Sequence, residues 1–218
     1  MQGSAGWRVV LSGLISVGLL TIASAPAEAI TVTEFAQGLA ASPDPGAPTA
    51  GPDGNVWFTD NGAVGRITPA GAITEFKQGI PSGDTPADSI TVGADHALWF
   101  CLDGTSPAIG RIDPATGAIT HFALASNPQS VVEGPDGNVW FMGGAGLGTG
   151  AIGYITPAGK VTEISSSFSS VNPEPEAIAP GPDGNMWFLD IGTPYSVGHV
   201  DLSTRPYTLS AVGDEQWR

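Results

Sequence analysis

A chain of 218 residues with 7 Lys and Arg against 21 Asp and Glu has a formal charge of -14, which repels nucleic acid and anionic lipid and excludes both as partners. Glycine (31) and proline (19) are abundant but follow no G-X-Y period, which excludes collagen, and apolar runs recurring along the whole length exclude a disordered chain. One cysteine, Cys101, leaves no intrachain disulfide to form, and no Cys/His cluster has zinc spacing.

The first element in chain order is a targeting signal. Arg8 supplies a positive start, Val9 to Ala23 an apolar stretch of about 15 residues, and Ala27-Glu28-Ala29 an A-x-A cleavage site. The stretch is short for a membrane span. Residues 1–29 are therefore expected to be a cleaved signal peptide, with the mature chain starting near Ile30. Arg8 and Glu28 cancel, so the mature charge stays at -14. No later segment can span a bilayer as a helix. The expected location is secreted or periplasmic, and the protein is not expected to be membrane-integral.

The rest of the chain is a repeat. Gly51–Phe58, Gly93–Phe100, Gly134–Phe141 and Gly181–Phe188 share one pattern ending in Trp-Phe, and the tryptophans Trp57, Trp99, Trp140 and Trp187 stand about 42, 41 and 47 residues apart. A second block follows each: Val64–Ile67, Ile109–Ile112, Ile152–Ile155 and Val197–Val200. A third follows three of them: Ile73–Phe76, Ile119–Phe122 and Val161–Ile164, with a weak fourth version near Tyr207–Ser210.

Each unit reads as four short antiparallel strands. Pro52 presets the first corner of a turn, and Asp53-Gly54 tolerates tight or left-handed geometry. The turn joins a short innermost strand, such as Ser89–Val92, to the Trp-Phe strand. The latter does not alternate apolar with polar residues, as suits a strand covered on both faces. The next strand carries a glycine at a fixed place (Gly65, Gly110, Gly153, Gly198), a sign of close backbone approach or a bulge. In the outer strand, Thr and Glu alternate with apolar residues as on a half-exposed edge. Glu34, Glu75 and Glu163 are expected there as solubilising edge charges. Such a sheet is apolar on both faces and needs a stacked neighbour.

The expected fold is all-β: a β-propeller of four-stranded antiparallel blades, about four to four and a half of them, as an incomplete or open propeller after a cleavable signal peptide. Its parts are an outer strand and linker of a partial blade at 30–46, blades at 47–86, 87–127, 128–174 and 175–210, and a tail at 211–218. No helix is expected beyond the signal. The structural tryptophans Trp57, Trp99, Trp140 and Trp187 are expected in the seams between blades, and Cys101 as a small buried side chain.

The blocks Gly51-Pro-Asp-Gly-Asn-Val-Trp-Phe-Thr-Asp60 and Val64-Gly-Arg-Ile-Thr-Pro-Ala-Gly-Ala-Ile-Thr-Glu-Phe76 resemble the virginiamycin B (streptogramin B) lyase family of β-propellers. The resemblance covers about residues 30–210. It implies a magnesium-dependent elimination that opens a cyclic depsipeptide at its ester bond. The implied base is a histidine in Pro-His-x-Ile segments before innermost strands, with a glutamate after a Trp-Phe block. In this chain the histidine position holds Gly46, Asp88, Gln129 and Glu176, and the position after Trp-Phe-x holds Asp60, Leu102, Gly143 and Asp190. No catalytic residue and no metal ligand is assigned on these positions. The three histidines, His96, His121 and His199, occupy a turn, an outer strand and the position of Arg66, Arg111 and Tyr154, and are expected to be structural or at the surface.

Asp88, Gln129 and Glu176 hold equivalent places where loops lead into innermost strands. They are the candidate ligand-binding residues of a channel mouth, and two of the three are acidic, which suits a cation or an amine-bearing ligand. The glycine-rich stretch Gly143–Gly150 fits no phosphate-binding pattern, since no helix follows it. The leading expectation is an exported lyase-like scaffold that binds a small molecule or protein. One alternative is a streptogramin B lyase that uses Mg and gains its missing blades from elsewhere. The other is a structural interaction module that associates through exposed blade faces.

Overall fold

A computed structural model describes residues 31–143, 150–164, 174–205 and 207–212. The expected signal and its cleavage site, most of the glycine-rich stretch and most of the tail lie outside them. Two compact units are distinguished, Met1–Glu34 and Phe35–Arg218. Of the first, only 31–34 are described, and they are exposed and form no strand.

The described residues of the second unit hold no helix and four antiparallel sheets of four strands each, a propeller-type all-β architecture. Blade one is β1 (Pro48–Ala50), β2 (Val56–Asp60), β3 (Ala63–Ile67) and β4 (Ile73–Phe76). Blade two is β5 (Asp84–Val92), β6 (Leu98–Gly104), β7 (Ala108–Ile112) and β8 (Ile119–Ala123). Blade three is β9 (Pro128–Glu133), β10 (Val139–Gly143), β11 (Ala151–Ile155) and β12 (Val161–Ile164). Blade four is β13 (Pro175–Pro180), β14 (Met186–Asp190), β15 (Ser196–Asp201) and β16 (Thr208–Val212). Strand order within every sheet follows chain order. Each innermost strand packs on the next, β1 on β5, β5 on β9 and β9 on β13.

The Gly-Pro-Asp-Gly turn is closed by the amide of Gly54 donating to the carbonyl of Gly51 at 3.2 Å, and Gly54 is left-handed at φ 75°. In blade two the equivalent residue is His96, which takes the same left-handed conformation at φ 58° despite its Cβ. A left-handed non-glycine residue costs of order 1 kcal/mol, which glycine avoids.

The Trp-Phe pair explains most of the packing. Phe58 pairs in register with Gly65, Phe100 with Gly110, Phe141 with Gly153 and Phe188 with Gly198. Each phenylalanine ring lies on that glycine, where a Cβ would collide with it. The neighbouring tryptophan points to the opposite face of its sheet, towards the next blade. Trp57, with Val64 and Phe76, packs against Ile90, Leu98 and Phe100 of blade two. Trp99 and Cys101 pack against Val131, Val139 and Phe141 of blade three. Trp140 and Met142 pack against Ile178, Met186 and Phe188 of blade four. These three tryptophans are fully buried, and so is Cys101. Trp187, on the far face of the fourth blade, stays partly exposed.

Two segments differ from the sequence-based expectation. The strand expected at Ser89–Val92 starts earlier, at Asp84, because a bulge between Pro86 and Ile90 carries the ladder past its unpaired residues. The outer strand expected at the start of the mature chain is not a strand over residues 31–35. Phe35 nonetheless packs its ring on Gly71 as Phe76 does on Gly117 and Phe122 on Gly159. It has the contact of an outer-strand phenylalanine without a sheet to join.

Replacing Trp99 by Ala should lower the unfolding free energy by about 3–5 kcal/mol. The half-exposed Trp187→Ala should cost less than half of that in the same urea titration. His96→Gly should raise stability by about 1 kcal/mol, read from the denaturation midpoint at constant slope.

Candidate functional site at the strand-entry edge

Each tryptophan is held by its own turn. The indole Nε1 donates to Asp53 in blade one at 2.9 Å, to Asp95 in blade two at 3.0 Å, to Asp136 in blade three at 3.0 Å and to Asp183 in blade four at 2.9 Å. Across the ladder, the residue after the fixed glycine covers the indole face. Arg66 lies over Trp57 at 5.5 Å and Arg111 over Trp99 at 5.7 Å, while Tyr154 and His199 stack on Trp140 and Trp187, both at 5.1 Å. His199 is thus a ring partner of the scaffold. Burial raises the Asp95 carboxyl pKa, but hydrogen bonds from Trp99 and Arg111 outweigh it and leave it below the ordinary aspartate value. Burial pushes the Cys101 thiol up, so this cysteine is an unreactive core residue.

The expected mouth residues have a common local geometry. Asp88 lies in the bulge between Pro86 and Ile90, Gln129 between the partners of Met142 and Gly143, and Glu176 between Pro175 and Ala177. Each is a residue that the ladder leaves unpaired within an innermost strand, and all three are exposed. Bulges re-aim side chains in this way. In blade one Gly46 enters the innermost strand instead, donating its amide to the Thr59 carbonyl at 2.9 Å. A Cβ there would collide with the Asp88 carboxylate and the Thr59 hydroxyl, so Gly46, Thr59 and Asp88 crowd together at the first seam.

The same edge holds buried polar groups, among them the Asp60 and Asp190 that follow Trp-Phe-x. Asp60 accepts the amides of Asp44 at 2.6 Å and Asn61 at 2.7 Å. Asp190 does the same for Glu174 at 2.8 Å and Gly192 at 2.9 Å. These carboxylates pin the entry loop to the end of the Trp-Phe strand. In blade two that position is Leu102, and Asp84 acts from the opposite strand, accepting the amide of Ser106 at 3.0 Å. The signal in the sequence was the Asp ending Val56–Asp60 and Met186–Asp190. Glu75 and Glu163 also do more than solubilise an edge. They accept the linker amides of Ala40 at 2.6 Å and Ala125 at 3.1 Å.

Among the described residues, four buried acceptors at this edge have no hydrogen-bond partner: Thr59 Oγ1, Asp60 Oδ2, Asp84 Oδ2 and Asn127 Oδ1. All belong to the ends of Trp-Phe strands or to the entries of innermost strands. Buried acceptors are normally satisfied, and unsatisfied ones mark places for water, an ion or a ligand. Such an edge can hold a molecule that brings N–H or O–H donors. Among the described residues no three His, Cys, Asp or Glu side chains converge as a ligand set.

Stacked four-stranded blades, an aspartate-held tryptophan per blade and an entry edge of bulged residues define a β-propeller-type protein. The chain belongs to the virginiamycin B lyase family, whose model matches residues 26–214. Virginiamycin B lyase from Staphylococcus aureus is 33% identical with a TM-score of 0.66, over 78% of this chain and 56% of that one. A catalytically inactive histidine-to-alanine variant of the staphylococcal lyase, solved with quinupristin, is 34% identical with a TM-score of 0.65, over 77% and 54%. This chain thus spans about half the length of those lyases. A gluconolactonase from Xanthomonas campestris, 13% identical with a TM-score of 0.56 over 77% of this chain and 61% of that one, shares the fold. None of the curated sequences compared with the chain matches it. Among the described residues no helix is long and apolar enough to cross a membrane.

The third seam carries a pH-sensitive contact, in which the Tyr207 hydroxyl donates to Asp136 Oδ2 at 2.9 Å. Burial first, then the bond to Asp136 and its charge, push the Tyr207 pKa up to about 12. A raised pKa in the folded state contributes stability that is full below the unfolded value of about 10 and is lost as the pH rises towards the folded one. Wild type should therefore lose stability between about pH 10 and 12 more steeply than Tyr207→Phe in parallel urea titrations. Coincident slopes would mean that Tyr207 titrates as it does unfolded.

Proposed function

We propose that this chain is a ligand-binding scaffold of the virginiamycin B lyase family that does no lyase chemistry on its own residues. The observation that carries this reading is the strand-entry edge, where bulges leave Asp88, Gln129 and Glu176 unpaired and where Thr59, Asp60, Asp84 and Asn127 carry unsatisfied buried acceptors. Such a surface prefers a small molecule rich in hydrogen-bond donors, and one bearing an amine above all. Residues 1–29 support export, so the ligand would be met outside the cytoplasm.

A second reading has the chain take part in opening a streptogramin B ring. Family membership and the 33–34% identity to the staphylococcal enzyme favour it. It needs a histidine and a metal set from outside these four blades, because the matching positions hold Gly46, Asp88, Gln129 and Glu176.

Quinupristin, the compound bound to the staphylococcal variant, is the probe that separates the two. Calorimetric titration should show binding that is weakened at least tenfold by Asp88→Asn combined with Glu176→Gln. Chromatography after incubation with magnesium chloride should return the cyclic compound intact. Elimination breaks the ester C–O bond and leaves an alkene and a carboxylate, giving a ring-opened isomer of unchanged mass. Its accumulation above a protein-free blank would overturn the scaffold reading in favour of the lyase.

A further inference from the structure

The first seam differs from the second and third at the strand-entry edge. Two positions after each tryptophan, on the same face of its sheet, the strand sends one more side chain towards the next blade. That residue is Cys101 after Trp99 and Met142 after Trp140, both fully buried. After Trp57 it is Thr59, whose hydroxyl is 1% exposed and has no hydrogen-bond partner. Leaving a buried hydroxyl unpaired is costly. Elsewhere a hydroxyl between blades is satisfied: Ser89 Oγ accepts the Val131 amide at 2.9 Å.

A carboxylate reaches the same place from blade two. Asp88 is unpaired in the bulge of β5 and lies against Gly46, the residue that leads into β1. A Cβ on Gly46 would collide with both Asp88 Oδ1 and Thr59 Oγ1, so the two oxygens border one point over bare backbone. The residues equivalent to Gly46 in blades two and three are Asp88 and Gln129, which carry side chains. Among the described residues, a bare entry, an unpartnered hydroxyl and a carboxylate thus coincide at the first seam. The backbone beneath is pinned. Gly46 donates its amide to the Thr59 carbonyl at 2.9 Å, and Asp60 accepts the Asp44 amide at 2.6 Å. Asp88, exposed and outside the ladder, is the movable member.

A carboxylate only accepts hydrogen bonds, and the Thr59 hydroxyl has two lone pairs to fill. The group that satisfies both is a cation with several N–H donors on one atom, which describes a primary ammonium. A quaternary ammonium brings no donor to Thr59. A planar guanidinium is wider than a gap where a single added carbon already touches both oxygens.

We propose that the first seam is a subsite for a primary ammonium, whose N–H groups donate to Asp88 and Thr59 over Gly46. The inference rests on the scaffold reading above and names the part of the ligand that this end of the edge takes, an alkylammonium arm. The Asp88 carboxylate turns aside as the ammonium enters, because Thr59 Oγ1 is itself out of reach of solvent. The charge of -14 draws such a cation to the surface.

Amide NMR of the full chain titrated with n-butylammonium chloride tests this. The amides of Gly46, Thr59 and Asp88 should shift along one saturable curve, and tetramethylammonium chloride at the same ionic strength should leave them in place. Thr59→Val, which keeps the shape and removes the hydroxyl, and Asp88→Asn should each weaken binding about tenfold. Gly46→Ala should abolish it by displacing the carboxylate. Equal shifts with tetramethylammonium or magnesium chloride, or Thr59→Val binding as tightly as wild type, would overturn the subsite. Quinupristin separates this outcome from failure of the scaffold reading. Calorimetric binding of quinupristin without butylammonium shifts would overturn the subsite alone, whereas ring-opened quinupristin beside intact butylammonium shifts would overturn the scaffold reading alone.

Discussion

The structure depends on one constraint: a blade of this repeat is apolar on both faces, and no single sheet can bury both. The tryptophan resolves it in one direction. Its indole N–H is anchored to the aspartate of its own turn, one face is covered by the residue after the fixed glycine, and the rest is driven into the next blade. The phenylalanine resolves it in the other direction by lying on that glycine, which keeps the sheet thin enough for the preceding tryptophan to close in. Turn, strand and seam are one unit, so altering one residue type is felt on both sides of a sheet.

That constraint also separates scaffold from site. The residues that recur in register are spent on seams, and they account for the family match and the shared fold. At the edge where strands begin, the ladder stops and side chains are released from pairing. Asp60 and Asp190 hold the entry loops in place. Asp88, Gln129 and Glu176 stand free of the ladder beside them. The edge is held in place by buried carboxylates.

Much of this was legible in the sequence because the scaffold is periodic. The turn at Gly51–Gly54, the glycine of β3 and the Thr-Glu outer strand each recur, and local chemistry assigns each a place. His96 shows the limit of that logic. Its position is a glycine in the three sister turns, and only the left-handed backbone shows what the exception costs. Glu75 and Glu163 read as solvated charges because alternation says only that they point outward. The linker amides they accept come from residues about 35 and 38 positions away, a distance over which no local pattern carries information.

The sequence by itself determined the blades and their order. These follow from turn residues and from the period-two rule of a strand, both local. Tertiary structure alone decided which polar groups would be left over. The bulges at Asp88, Gln129 and Glu176, the orphaned acceptors of Thr59, Asp60, Asp84 and Asn127, and the difference between a sealed Trp140 and a half-open Trp187 arise where separate sheets meet or fail to meet. The physical reason is that satisfaction and burial belong to pairs of surfaces, and a sequence motif describes only one member of each pair.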